Sequence, residues 1–117
     1  MLGSFGAALG FLAVALGAFG AHGLEGRLTA EGLGWWTTAS QYLLAHAVAV
    51  LACRLSGRAG LIGGGGWALG IGALIFAGTL YAMALGAPRW FGAITPLGGL
   101  GMLAGWGMIG VAAIRAG

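Results

Sequence analysis

Residues 2–22 read LGSFGAALGFLAVALGAFGAH. From Leu2 to Ala21 no residue is charged, and Ser4 is the only polar one. A helix needs roughly 20 mostly apolar residues to cross the hydrocarbon core of a bilayer. In hydrocarbon no water is present to bond the peptide groups, so they must be satisfied within the segment, which selects helix. A secretory signal has a basic leader and an apolar run of about 7–15 residues. This run is longer and has no basic leader, so it is read as a retained first helix, Leu2 to His22. Gly3, Gly6, Gly10, Ala13, Gly17 and Gly20 share one side of it, and Gly6-xxx-Gly10 is the small-residue spacing that lets helices approach closely in lipid. Phe5, Leu9, Leu12, Leu16 and Phe19 share another side, expected to meet lipid. Gly23 is the expected C-terminal stop.

The rest of the chain repeats this pattern. Of 117 residues, 60% are apolar and 6% charged, against about 25% charged in soluble domains. The charges, Glu25, Arg27, Glu31, Arg54, Arg58, Arg89 and Arg115, fall between or after apolar stretches and never in the middle of one. Four crossings with short turns account for the whole length and leave no room for a soluble domain. The expected fold is all-α: an integral membrane four-helix bundle with Gly-rich helix interfaces, forming a single transmembrane domain over residues 1–117. A net charge of +3 without a basic cluster argues against nucleic acid. The lone Cys53 forms no internal disulfide and is silent on compartment.

Helix 2 is expected from about Ala30 to Ser56, with Thr29 as N-cap and Glu31 near the positive helix end. Trp35 and Trp36 suit an interfacial aromatic belt. The run Gly63 to Gly66 is a poor helix former, so helix 3 is placed from Gly66 or Trp67 to Gly86. Thr95-Pro96 reads as an N-cap followed by proline at the first helical position, which places helix 4 at about 96–114. Gly98, Gly101 and Gly105 form its small-residue stripe. Four crossings put both termini on one side, with Arg54, Arg58 and Arg115. The other side has Arg27, Arg89 and both glutamates. The excess of arginine favours cytoplasmic termini, by a margin slight enough to leave dual insertion open.

Polar groups inside a membrane are costly and therefore informative. At about 100° per residue, Thr38, Gln41, Tyr42, His46 and Cys53 fall on one face of helix 2. That face is expected to point into the bundle, with Trp36, Leu43, Ala47, Val50 and Leu51 opposite. His46 lies roughly 15 Å from the Trp36 level at 1.5 Å per residue, near the midplane. Its two readings are a ligand or proton site and an interhelical hydrogen bond. The second is favoured, as it is for Thr38, Gln41 and Tyr42. His22 reads as a helix-end residue interacting with the helix dipole. Thr79 and Tyr81 are candidates for the polar interior, with an interfacial position preferred for Tyr81. No metal or cofactor is expected. His22 and His46 differ in depth by more than about 10 Å, whereas a metal needs each nitrogen within about 2.1 Å. Haem shared between subunits stays open. There is no Asp for a Ser-His-Asp set, no carboxylate pair in the membrane, and no Lys-Ser/Thr after Gly63–Gly66 to make a phosphate loop.

An ordered set of motifs runs along the chain: Gly17-Ala-Phe-Gly-Ala-His-Gly-Leu24, Trp36-Thr-Thr-Ala39, Gln41-Tyr42, His46-Ala47, Phe76-Ala-Gly-Thr-Leu-Tyr81, Ile94-Thr-Pro-Leu-Gly-Gly99 and Gly105-Trp106. Together they resemble the domain of unknown function 423 family, which includes the transmembrane protein 256-like proteins. The resemblance covers nearly the whole chain. It implies a multi-pass protein of the bacterial inner membrane, or of organelle membranes, and no established biochemical activity. His22, Gln41, Tyr42, His46, Thr95 and Pro96 match its most recognisable motifs. Ala77 and Thr79 stand where serine is expected more often.

Three functions are weighed. The first is a structural or accessory subunit, in contact with membrane lipids, packing through Gly6, Gly10, Gly17, Gly101 and Gly105 against itself or a larger membrane complex. The second is a small oligomeric transporter or channel for an anion or neutral solute, lined by Thr38, Gln41 and His46. The third is a lipid-, quinone- or haem-binding subunit using His46 or His22. An enzyme acting alone is not expected, because general acid–base chemistry needs a positioned pair.

Overall fold

A computed structural model describes residues 1–116. Four α-helices form: α1 (Leu2–His22), α2 (Ala30–Leu55), α3 (Leu61–Ala84) and α4 (Thr95–Ala116), with a short 3-10 helix over Arg89–Ala93. The segments Leu2–His22, Leu61–Ala84 and Arg89–Ala116 are each long and apolar enough to cross a membrane. The more polar α2 has 26 residues, about 39 Å of helix. It runs antiparallel to both α1 and α3.

Glycine sets how the helices meet. Along α1, Gly6 faces Val50 and Leu51, Gly10 faces Ala47, Gly17 faces Ser40, and Gly20 lies under the Trp36 ring. Between α3 and α4 the backbones themselves touch: a Cβ on Gly72 would lie 2.6 Å from the Met102 nitrogen and 2.7 Å from the Gly98 oxygen. Gly101 and Gly105 continue this seam. The helix α3 is central. The other three all pack on it, while the α4 backbone meets neither α1 nor α2. Leu9, Leu43, Leu69 and Val50 are the largest fully buried side chains.

Several expectations are corrected here. The first helix was expected to turn Leu9 to lipid, but Leu9 is buried; Leu12 and Phe19 are exposed as expected. The face expected inside α2 holds only for His46 and Cys53. Gln41 and Tyr42 are exposed and Thr38 is half-buried, whereas Trp36, Leu43, Ala47 and Val50 are core. The reason is that no hydrophobic force drives helices together in lipid, so steric fit selects the inner face. Trp36 fits over Gly20, and its indole N–H donates to the Leu16 carbonyl at 2.7 Å.

Helix α3 begins at Leu61, not Gly66, and ends at Ala84. Gly63 to Gly66 are helical, and at three of them the missing side chain is what close packing uses: a Cβ on Gly64 would strike Met108, one on Gly65 Ile109, and one on Gly66 Leu2. The preceding Gly60 supplies a φ of 65°. Helix α4 includes Thr95 and continues to Ala116, and the 3-10 helix before it was not anticipated. Helix α2 ends at Leu55. Thr29 caps α2 as expected, accepting from the Gly32 nitrogen at 2.9 Å. Gly23 ends α1, though at a φ of −85° rather than a left-handed one, with the Phe19 ring against it.

The packing sorts the charges. Gly3 faces the Arg54 side chain, so Arg54 and Arg58 share an end with the start of α1, and the α3–α4 pairing brings Arg115 to that end as well. At the opposite end Arg89 donates to Glu31 at 2.9 Å and lies over the Trp35 ring, 5.7 Å from its centroid.

Candidate functional site

The polar side chains that bond inside the bundle come from α2, α3 and α4, and α1 contributes the Leu16 carbonyl. His46 sits on α2 one residue from Ala47, which faces Gly10 at the middle of α1. It is 7% exposed. Its Nδ1 lies 2.7 Å from the Tyr42 carbonyl one turn back, and its Nε2 lies 3.1 Å from Nε1 of Trp106 on α4. An indole N–H only donates. Nε2 is therefore the acceptor, which leaves Nδ1–H to donate to the carbonyl. Tautomers are assigned from such networks, and this one admits a single assignment. The Trp106 ring meets His46 edge-on at 5.9 Å and 70°. Tyr42 stacks on the imidazole at 6.1 Å and 11°, and tilts against Phe76.

A cleft of about 520 Å³ opens sideways at this point. His46, Tyr42 and Phe76 form one wall, and Leu100, Leu103 and Trp106 the other. It exists because the α4 backbone leans on α3 and reaches α2 only through side chains such as Trp106. Its lining is mostly apolar, and the imidazole nitrogens it contains are both engaged. A ligand to iron or zinc offers a free nitrogen lone pair; His46 in this geometry has none to offer.

Three further bonds clasp the helices. Trp36 ties α2 to α1 through Leu16. Ser40 Oγ and the Tyr81 hydroxyl share a bond of 2.7 Å between α2 and α3. Thr79 Oγ1 and Thr95 Oγ1 share one of 2.6 Å between α3 and α4. With one proton per hydroxyl, Thr79 donates to the Ile75 and Phe76 carbonyls at 3.0 Å while Thr95 donates to Thr79, the Phe91 carbonyl at 3.3 Å being the longer alternative for Thr95. Among the described residues no buried side-chain nitrogen or oxygen lacks a partner.

The candidates from the sequence therefore separate. His46 and Thr95 take part in interhelical bonds. Thr38 is half-buried on α2. Gln41, Tyr42 and His22 are exposed, so they do not belong to a polar interior. Gln41 lies on the rim of a cleft between α2 and α1, Tyr42 on the α2 surface beside Phe76, and His22 is the last residue of α1, beyond the packed stretch. From the level of His22 to that of Gly10, opposite Ala47, is about 18 Å along the helix. Tyr81, expected at the interface, is instead buried against Trp36, with centroids 4.5 Å apart. Ser40 and Trp106 carried no sequence expectation as bonding partners. Ser40 lies next to the buried Ala39, and that adjacency is the one sign that marks it.

A bundle clasped by glycine contacts and internal hydrogen bonds, with charges only at its two ends, defines a small integral membrane protein. The family model described as "Protein of unknown function (DUF423)" matches residues 16–99. The chain is 45% identical to the UPF0382 membrane protein YwdK of Bacillus subtilis over 115 residues, 94% of this chain and 93% of the relative. It is 39% identical to the UPF0382 inner membrane protein YgdD of Escherichia coli K12 over 114 residues, 95% of this chain and 87% of the relative. The chain belongs to this membrane-protein family. No solved structure matches it.

Proposed function

We propose that the protein is a non-enzymatic structural subunit of the bacterial inner membrane, assembling with itself or with a larger membrane complex. The observation that carries this reading is the engagement of the interior polar groups. Nε2 of His46 and the hydroxyls of Ser40, Thr79, Tyr81 and Thr95 hold helices to one another, while Nδ1 of His46 is tied to the Tyr42 carbonyl within α2. A solute path needs groups that exchange partners, and acid–base catalysis needs a positioned, available pair. Thr38, Gln41 and His46 differ in burial, which speaks against a shared pore lining. The unengaged polar groups, Gln41 among them, lie on the outer surface, where a neighbouring protein would meet them.

The orientation proposed is termini in the cytoplasm. Arg54, Arg58 and Arg115 mark that end, while at the other end Glu25 and Glu31 offset Arg27 and Arg89. Cytoplasmic loops are enriched in Lys and Arg. Gentle extraction in native lipid, followed by mass measurement and mass spectrometry of what accompanies the chain, tests the subunit reading. Recovery as an oligomer or with a defined partner is expected. A lone monomer with no companion overturns it.

The cleft beside His46 gives a lipid-binding reading a specific basis, since an apolar chain fits between Phe76 and Leu103. Delipidation that changes neither stability nor Trp106 fluorescence would remove that reading.

A further inference from the structure

We propose that the outer face of α2 is the seam of a parallel twofold dimer of this chain, with Gln41 of each copy paired to the other inside the hydrocarbon core. The proposal deepens the structural-subunit reading and rests on it.

Helix α2 runs from Ala30 to Leu55, so Gln41 stands within two residues of its midpoint. Its side chain is exposed, and its amide has no hydrogen-bond partner among the described residues. In a soluble protein this would be unremarked. Inside the hydrocarbon core of a bilayer an exposed side chain faces lipid tails, which offer an amide neither donor nor acceptor, and an unpaired polar group there is costly. Lipid tails cannot remedy this. A second polar helix can, and interhelical pairing of Gln side chains is an established source of helix association in membranes.

The chemistry of the group favours a second copy as that helix. A primary amide carries a donor and an acceptor, so two of them satisfy one another. A twofold axis brings each residue at the axis opposite its own copy. The surrounding sequence is arranged for this. Gly34, Gln41, Val48 and Leu55 recur every seven residues, and all four are exposed. This is the spacing of a left-handed helix pair, in which one polar residue among apolar ones fixes the register. Ala45 and Ala52 beside them are also exposed and small, so a second helix is not held away. A cleft of about 430 Å³ adjoins Thr37 and Gln41, bounded on the α1 side by Gly17, Gly20 and Ala21. It leaves room for a partner side chain next to the amide pair. The charge bias between the two ends favours copies inserted the same way round, hence a parallel dimer.

The test is disulfide trapping of the full chain in native membranes. The buried Cys53 is first replaced (Cys53→Ala), and single cysteines are introduced as Val48→Cys on the seam and Leu103→Cys on the outer face of α4. Val48→Cys is expected to form a covalent dimer under mild oxidation, and Leu103→Cys to stay monomeric. Gln41→Leu is expected to weaken dimerisation about tenfold in vesicle dilution, read by energy transfer between labelled copies, with Gln41→Asn restoring it. Trapping at Leu103 but not Val48 overturns the seam and leaves self-assembly standing. No trapping at Val48, together with a different protein recovered beside the chain, overturns the second copy and leaves the subunit reading intact. A monomer with no companion overturns both. Gln41→Leu dimerising as tightly as the parent overturns the role of the amide.

Discussion

The Trp106 indole nitrogen and Nε2 of His46 stand 3.1 Å apart, joining two helices whose backbones do not meet. Removing either partner should loosen α4 without unfolding the α1–α3 unit. Trp106→Phe keeps most of the ring and loses the donor, and should cost about 1 kcal/mol, the range of interhelical hydrogen bonds in lipid. A double-mutant cycle with His46→Ala, read by unfolding in mixed micelles, should give a coupling energy of similar size. Additive effects would show that the two residues act separately.

The hydrogen-bond network fixes which imidazole nitrogen holds the proton. In selectively labelled protein, His46 should show a protonated Nδ1 and a bare Nε2 by nitrogen NMR. In Trp106→Phe that preference should weaken, because the donor that reserves Nε2 as acceptor is gone. A protonated Nε2 in the parent would contradict the assignment.

Glycines in the α3–α4 seam should be far less tolerant than those outside it. A Cβ on Gly98 would lie 2.5 Å from the Phe76 nitrogen, whereas one on Gly99 meets nothing within 4 Å. Gly98→Ala should therefore cost about 1–3 kcal/mol by overpacking, and Gly99→Ala close to nothing. Thermal denaturation in a mild detergent distinguishes the two.

Ser40 and Tyr81 share a single bond, so Ser40→Ala and Tyr81→Phe should each lower stability by about 1 kcal/mol. The double variant should lose little more than one of them. If the losses summed, the bond between them would not be the common cause.

The ion pair of Arg89 and Glu31 is a useful contrast. Their side chains are 79% and 56% exposed. Exposed pairs contribute about 0–1 kcal/mol, so Glu31→Gln should shift the unfolding midpoint only slightly, and less still at high salt. A large, salt-insensitive loss would mean that this contact does more than join two surface charges.

Length and hydropathy made the four helices legible, and the stripe Gly6, Gly10, Gly17 and Gly20 announced that a helix packs closely on α1 without saying that it is α2. The inner face of α2 was not legible by the same means. In water, polarity points outward and gives a direction. In lipid, Trp36 and Gln41 are both admissible on either side until the shape of the neighbour is known, and the glycines of α1 selected Trp36. Helix α3 starts five residues earlier than propensity indicates, because the low helix propensity of glycine is a property of chains in water. Within the bundle the penalty for lacking a side chain is outweighed by the contacts that the gap allows. The sequence favoured an interhelical hydrogen bond for His46, but its partner was not legible. Trp106 lies on α4, sixty positions away, and sequence spacing along one helix has no means of naming it.

Because the α4 backbone packs on no long helix but α3, the order of synthesis and the order of assembly coincide. When the ribosome reaches Thr95, every contact among the first three helices can already be made, and nothing still to be translated is required to complete them. The last helix then docks onto a finished surface, like a bolt drawn after the door is shut. A nascent chain stalled before Thr95 should already resist proteolysis over its first three helices.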